Sequence, residues 1–297
     1  MPEEMISYVN TVVVPGGLMA IMFSLGLTLA LSDFRNLLVY PRAVTAGLTG
    51  HFLCLPILGV AIAYIFHLPP EMAVGLFILA VSPGGVTSNA VTFAARGNVA
   101  LAVIMTAITS MITIITTPLL ISWALAHFFE GRGSVPELSV LNTIRQLFFM
   151  TVLPIGCGMT VRHFGPGLAE RMSHWLRPVS MIILVCVILF SVFVSADLLL
   201  DNIVRAGPAA WALNVAAMAT GLLIARLFGL GRTDSMTLGI EIGIQNATMA
   251  TFLSLSVLNS WALAITPTIY GCIMLINAGI MIRLLKARWK KHQLADQ

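Results

Sequence analysis

The chain has 297 residues, of which 58% are hydrophobic and only 9% charged, with a net charge of +4 and a mean hydropathy of +0.96. That average excludes a soluble globular core and places the chain in a bilayer. The small positive balance calls for no nucleic acid, because a basic cluster such as Lys286-Ala287-Arg288-Trp289-Lys290-Lys291 is ordinary anchoring to anionic lipid.

Apolar runs of about 20 residues, instead of alternation over about 10, predict an all-α integral membrane protein and not a β-barrel. Nine spans are expected, at roughly 10–31, 40–66, 72–94, 99–127, 140–161, 176–196, 207–228, 234–257 and 261–285. The opening Met1-Pro2-Glu3-Glu4 lacks the basic start of a cleaved signal peptide, so the first run is expected to stay in the mature protein. Leu68-Pro69-Pro70, Gly131-Arg132-Gly133, Gly165-Pro166-Gly167 and Gly229-Leu230-Gly231 mark short connections, which leave room for one polytopic domain over 1–297 and no soluble one. Cys54, Cys157, Cys186 and Cys272 lie singly in apolar runs and read as core fillers, neither disulfides nor metal ligands. With the N-terminus outside, thirteen of the sixteen basic residues fall on one face, leaving Arg132, Arg145 and Arg205 opposite. The positive-inside rule then puts the C-terminus in the cytoplasm, with the chain in a plasma or inner membrane.

Two runs are interrupted. The third carries Ser82-Pro83-Gly84-Gly85-Val86-Thr87-Ser88-Asn89, whose proline and paired glycines should unwind the helix. The eighth carries Glu241-Ile242-Gly243-Ile244-Gln245-Asn246, and of the twelve acids Glu241 alone is set deep in an apolar run. An acid there is costly enough that an ion or substrate site is the default reading, against a structural one with the group neutral or at a wet helix end. Unwound backbone at membrane depth is tolerated only where it is buried in protein or lines a wet cavity. Interrupted helices in corresponding halves point to a transporter site, in which half-helix N-termini face an anion while freed carbonyls and carboxylates hold a cation. An intramembrane enzyme would also place polar groups at mid-depth, but GxSxG, HExxH and GxxxxGK[ST] are missing and Glu241 has no second deep acid. A channel stays open at this point. No cofactor is expected, apart from sodium as a coupling ion.

Three stretches carry a resemblance: Met22-Phe23-Ser24-Leu25-Gly26-Leu27-Thr28-Leu29, the 82–89 stretch continuing to Ala95-Arg96-Gly97-Asn98-Val99-Ala100-Leu101, and the 241–246 hexapeptide. Together they resemble the bile acid:sodium symporter family of secondary transporters over nearly the whole chain. The resemblance implies inverted repeats, and a core domain with two crossing discontinuous helices that moves in elevator fashion against a panel domain. It implies the nine-span form, with a panel of spans 10–31, 140–161 and 176–196, a core of 40–127 and 207–285, and a monomer by default.

A first sodium site would correspond to Ser88, Asn89, Thr106 and Glu241, with Ala102 where the family has a serine. A second would correspond to Glu241, Gln245 and the carbonyls of Ile242 and Ile244, with His51 where the family has a glutamine. Each site has lost a hard oxygen of the kind such cations want, which argues against strict sodium coupling and leaves proton-linked or ion-independent transport open. A protonated His51 near Glu241 would occupy the second site with its own charge. The plainer reading is a neutral histidine bonded to a helix carbonyl. The implied substrate is an organic anion, bile acid-like or a small carboxylate such as pantoate, held by Thr87, Ser88, Asn246 and Asn277, with Val86 in place of the crossover threonine. The expected partners are that small molecule and membrane lipid.

Overall fold

A computed structural model describes residues 3–35, 40–131, 136–194 and 196–295. The chain runs through α1 (Val9–Gly26), α2 (Pro41–Ile65), α3 (Pro70–Ala80), α4 (Val86–Ala94), α5 (Val99–Phe128) and α6 (Val140–Phe164). It continues through α7 (Pro166–Val194), α8 (Ala196–Leu227), α9 (Arg232–Gly243), α10 (Ala247–Val257) and α11 (Trp261–Ala295). Among the described residues, six helices are long and apolar enough to cross a membrane: α1, α2, α5, α6, and the Leu199–Leu227 and Trp261–Arg283 portions of α8 and α11. This is an all-α multi-pass membrane protein.

The third and eighth expected spans are split as their glycines and proline predict, into α3 with α4 and α9 with α10. Two expected connections are largely helix instead. Gly165 remains as the turn after α6, and Pro166 and Gly167 open α7, because a proline lacks only an N–H that a first turn leaves unpaired anyway. Residues 197–206 belong to α8, since hydropathy measures preference for lipid and a helix continues past the bilayer edge without breakers. Arg132 and Gly133 lie outside the described residues. The cysteines are free but are not core fillers: Cys157 and Cys186 are exposed on the outer surface, and Cys54 and Cys272 are half-buried.

Among the described residues four helices carry a widened π turn, one at Leu253–Val257 and three at Val9–Val13, Gly50–Cys54 and Phe148–Val152 that share a cause. Each of these three ends two residues before a proline, Pro15, Pro56 or Pro154. Proline removes one backbone bond and its ring presses on the carbonyl four residues back, and widening the turn relieves both. His51 sits in the second of these turns.

The order α2, α3, break, α4, α5 recurs as α8, α9, break, α10, α11. Left-handed residues stand at matching turns: His67 (φ 48°) answers Gly229 (φ 70°), and Arg96 (φ 55°) answers Asn259 (φ 49°). The helix ends match bond for bond, since Leu68 N–H reaches the Ala63 carbonyl at 3.0 Å and Leu230 N–H reaches Ala225 at 2.9 Å. Between the two repeats, α6 and α7 pack on each other and on α1. The second repeat closes on itself through α8, which packs against both α9 and α11, and α11 in turn packs on α3 of the first.

Candidate functional site

The two breaks meet. Gly85 N–H donates to the Ile244 carbonyl at 2.9 Å and Asn246 N–H to the Pro83 carbonyl at 2.9 Å, so each unwound segment satisfies the other across a Gly84–Gln245 bridge. In a bilayer that exchange replaces the water that unwound backbone would otherwise need. The approach is close enough to require glycine. A Cβ on Gly84 would run into the Glu241 carboxylate, and one on Gly85 would lie 2.8 Å from the Gln245 carbonyl oxygen.

Side chains from neighbouring helices hold each break open. On the first, Thr117 of α5 donates to the Val81 carbonyl at 2.6 Å, and Gly84 N–H reaches Thr109 Oγ1 at 3.4 Å. On the second, the Gly243 carbonyl accepts from both Asn214 Nδ2 and the Tyr270 hydroxyl at 2.7 Å. Asn214 and Tyr270 were not legible as site residues; the only signal was a carboxamide and a phenol inside apolar runs.

Glu241 is fully buried at the crossover. Ser88 Oγ donates to its Oε2, and Thr106 Oγ1 donates to Oε1 at 2.6 Å. Thr106 also lies 3.4 Å from Asn89 Oδ1 and 3.0 Å from the Ala102 carbonyl, but one hydroxyl proton serves one acceptor fully, and the shortest contact takes it. Ser88, Asn89, Thr106 and Glu241 therefore converge as a set of oxygens, with Ala102 contributing only its carbonyl. Both carboxyl oxygens are met by hydroxyls and, among the described residues, by no basic side chain, so a charge on Glu241 would be solvated but uncompensated.

The second expected cluster is partly spoken for. Gln245 Nε2 donates to the Ile242 carbonyl at 2.6 Å, and the Ile244 carbonyl already accepts from Gly85. What remains is Gln245 Oε1, buried and without a hydrogen-bond partner among the described residues. His51 is also buried, and its Nε2 likewise has no partner, so the helix-carbonyl bond of the plainer reading is not made by that nitrogen.

Beside the crossover lies a cavity of about 270 Å³. Gly85, Val86 and Thr87 at the start of α4, and Asn246, Ala247 and Thr248 at the start of α10, all line it, so two half-helix N-termini open on one space. Asn246 caps α10, its Oδ1 accepting from Met249 N–H at 2.9 Å, while its Nδ2 has no partner among the described residues. The remaining wall is mostly apolar: Ile21 and Leu25 of α1, Ala90 and Phe93 of α4, Val103 of α5 and Met274 of α11. Of the expected substrate residues, Thr87 and Asn246 face this cavity. Ser88 turns to Glu241, and Asn277 donates to Asn214 Oδ1 at 2.7 Å, which ties it to the Gly243 cluster. Phe93, 75% exposed at the cavity mouth, and Thr248 are additions that no motif marked.

Residues 15–202 match the model of the Sodium Bile acid symporter family. The chain belongs to that family. Its relatives include the probable sodium/metabolite cotransporter BASS1, chloroplastic, of Arabidopsis thaliana, 29% identical over 80% of this chain and 58% of its own. The uncharacterized sodium-dependent transporter YocS of Bacillus subtilis is 30% identical over 79% of this chain and 71% of its own. The human ileal sodium/bile acid cotransporter is 25% identical over 98% of this chain and 83% of its own. The chain thus spans less than three fifths of the chloroplast relative and most of the bacterial and human ones. These relatives are named transporters and cotransporters, not enzymes.

Proposed function

We propose that this family member is a secondary transporter of a small organic anion, working by alternating access. One observation carries the reading: two half-helix N-termini and the unpartnered Asn246 amide lie on a single cavity whose remaining wall is mostly apolar. Such a site suits one carboxylate on an apolar body, with the anion at the α4 and α10 amides and the body along Val86, Ala90 and Phe93. At about 270 Å³ the cavity is at the small end of ligand sites, which favours a short carboxylate such as pantoate over a bile acid.

The cavity lies between α1 and the crossover. This fits a panel of α1, α6 and α7 against which a core of α2–α5 and α8–α11, with inverted repeats, moves as an elevator. The apolar runs support nine crossings, and the distribution of basic residues supports an outside N-terminus and a cytoplasmic C-terminus in the cell membrane; on that reading the cavity opens inward, near Arg96. Ser88, Asn89, Thr106 and Glu241 supply oxygens for one sodium ion as co-substrate. In the second cluster, Gln245 Oε1 and His51 Nε2 are an acceptor and a nitrogen, both orphaned, and a proton on His51 replaces the second ion.

Uptake of labelled pantoate into proteoliposomes, driven by a sodium gradient, a proton gradient or neither, tests this. Uptake that needs a gradient and falls in Asn246→Ala is expected. Gradient-independent, unsaturable flux would refute the carrier reading and restore the channel. In His51→Gln the dependence on sodium should grow; an unchanged ion response would remove His51 from the mechanism.

A further inference from the structure

A second cavity, of about 670 Å³, lies where α6 ends and α7 begins, lined by residues of those helices and of the segment after α1. It shares no residue with the crossover cavity. Its polar wall is Arg162, His163, Glu170, Ser173 and His174. Pro166 and Gly167, the first residues of the 29-residue α7, complete one side.

Ser173 is the independent sign of a ligand. The residue is only 5% exposed and lines the cavity, yet its Oγ makes no hydrogen bond among the described residues. A helical serine ordinarily bonds the carbonyl one turn back; this one keeps its donor and acceptor capacity unused. Arg162 is fixed in place, one of its five N–H groups donating to the Leu27 carbonyl at 3.2 Å. His163 and His174 are exposed at the rim. The Arg162 guanidinium has donors and no acceptor, which suits an anion. Around them Phe164 (83% exposed), Leu168 and Trp175 present apolar surface outward, as residues at headgroup level do.

We propose that this cavity binds a phosphate group. Arg162 takes its oxygens, His163 and His174 add donors, and the Ser173 hydroxyl closes the shell. The group comes either from an anionic phospholipid or from free phosphate, two sources with the same chemistry. Glu170 opposes binding by one like charge, which supplies a gain-of-function test.

The full-length protein in detergent is titrated with inorganic phosphate against chloride at equal ionic strength, and with phosphatidylglycerol against diacylglycerol of the same chains, reading the unfolding temperature. A saturable rise with phosphate, phosphatidylglycerol or both is expected. Glu170→Gln should lower the half-saturating concentration about fivefold, the effect of removing one nearby surface charge. Ser173→Ala and the His163→Gln/His174→Gln pair should raise it. A response to phosphatidylglycerol alone identifies the lipid headgroup as the source, and one to phosphate alone identifies the free anion. No response to either, or one that all three variants leave unchanged, overturns the proposal. Because Glu170→Gln is expected to strengthen binding, misfolding cannot imitate it.

Discussion

Gly84→Ala is the sharpest test of the crossover. The added methyl would lie 3.0 Å from the Glu241 carboxyl carbon and closer still to its Oε1, while the Gly84 backbone is held by the bridge to Gln245. The carboxylate must yield, and it can do so only by leaving Thr106 or Ser88. Loss of one hydrogen bond to a charged group costs about 1.5–3 kcal/mol, and crowding a packed interior costs about 1–3 kcal/mol. If the bond term falls on the cation-bound state, cation or proton binding weakens by about 10- to 150-fold. The assay is the unfolding temperature of purified protein in sodium against potassium across about pH 5–8, the window in which an unperturbed histidine titrates. Gly16→Ala, whose Cβ would meet nothing within 4 Å, is the matched control. Wild type and Gly16→Ala should share one ion- or pH-dependent shift that Gly84→Ala lacks. The same shift in Gly84→Ala would show that the Glu241 geometry does not carry cation coupling.

Thr106→Val should remove the 2.6 Å bond to Glu241 at nearly constant volume, weakening the same shift by about 1.5–3 kcal/mol; an intact shift would point to Ser88 alone. Tyr270→Phe leaves the Gly243 carbonyl to Asn214 and should cost about 1 kcal/mol in chemical or thermal unfolding, whereas Asn214→Leu, which also strips Asn277 of its acceptor, should cost more. Phe93→Ala, at an exposed cavity-lining position, should raise the KM for pantoate with little change in unfolding temperature; the reverse pattern would make Phe93 structural. Gly26→Ala would drive a Cβ into the Ile155 carbonyl oxygen, 2.9 Å from its carbon, where α1 crosses α6, and should lower stability by about 1–3 kcal/mol without altering ion dependence.

The all-α character, the two breaks and the burial of Glu241 were legible in the sequence because each is a local property. Run length decides helix against barrel in lipid, proline and paired glycines unwind a helix where they stand, and one acid in twenty apolar neighbours needs no partner to be conspicuous. The prolines behind three of the four π turns were in view as well, although only the backbone showed how their strain was absorbed.

Tertiary structure decided which way each side chain turns. Ser88 and Thr87 are adjacent, yet one bonds a carboxylate 153 residues away and the other lines the cavity. Asn277 reaches Asn214 and not the cavity, and the exposed cysteines face outward from runs that read as core. In a bilayer, lipid-facing and protein-facing surfaces are equally apolar, so hydropathy cannot give the rotation of a helix. That rotation comes from packing against α5, α8 and α11, helices remote in the chain, and with it come the pairing of the two breaks and the oxygens around Glu241.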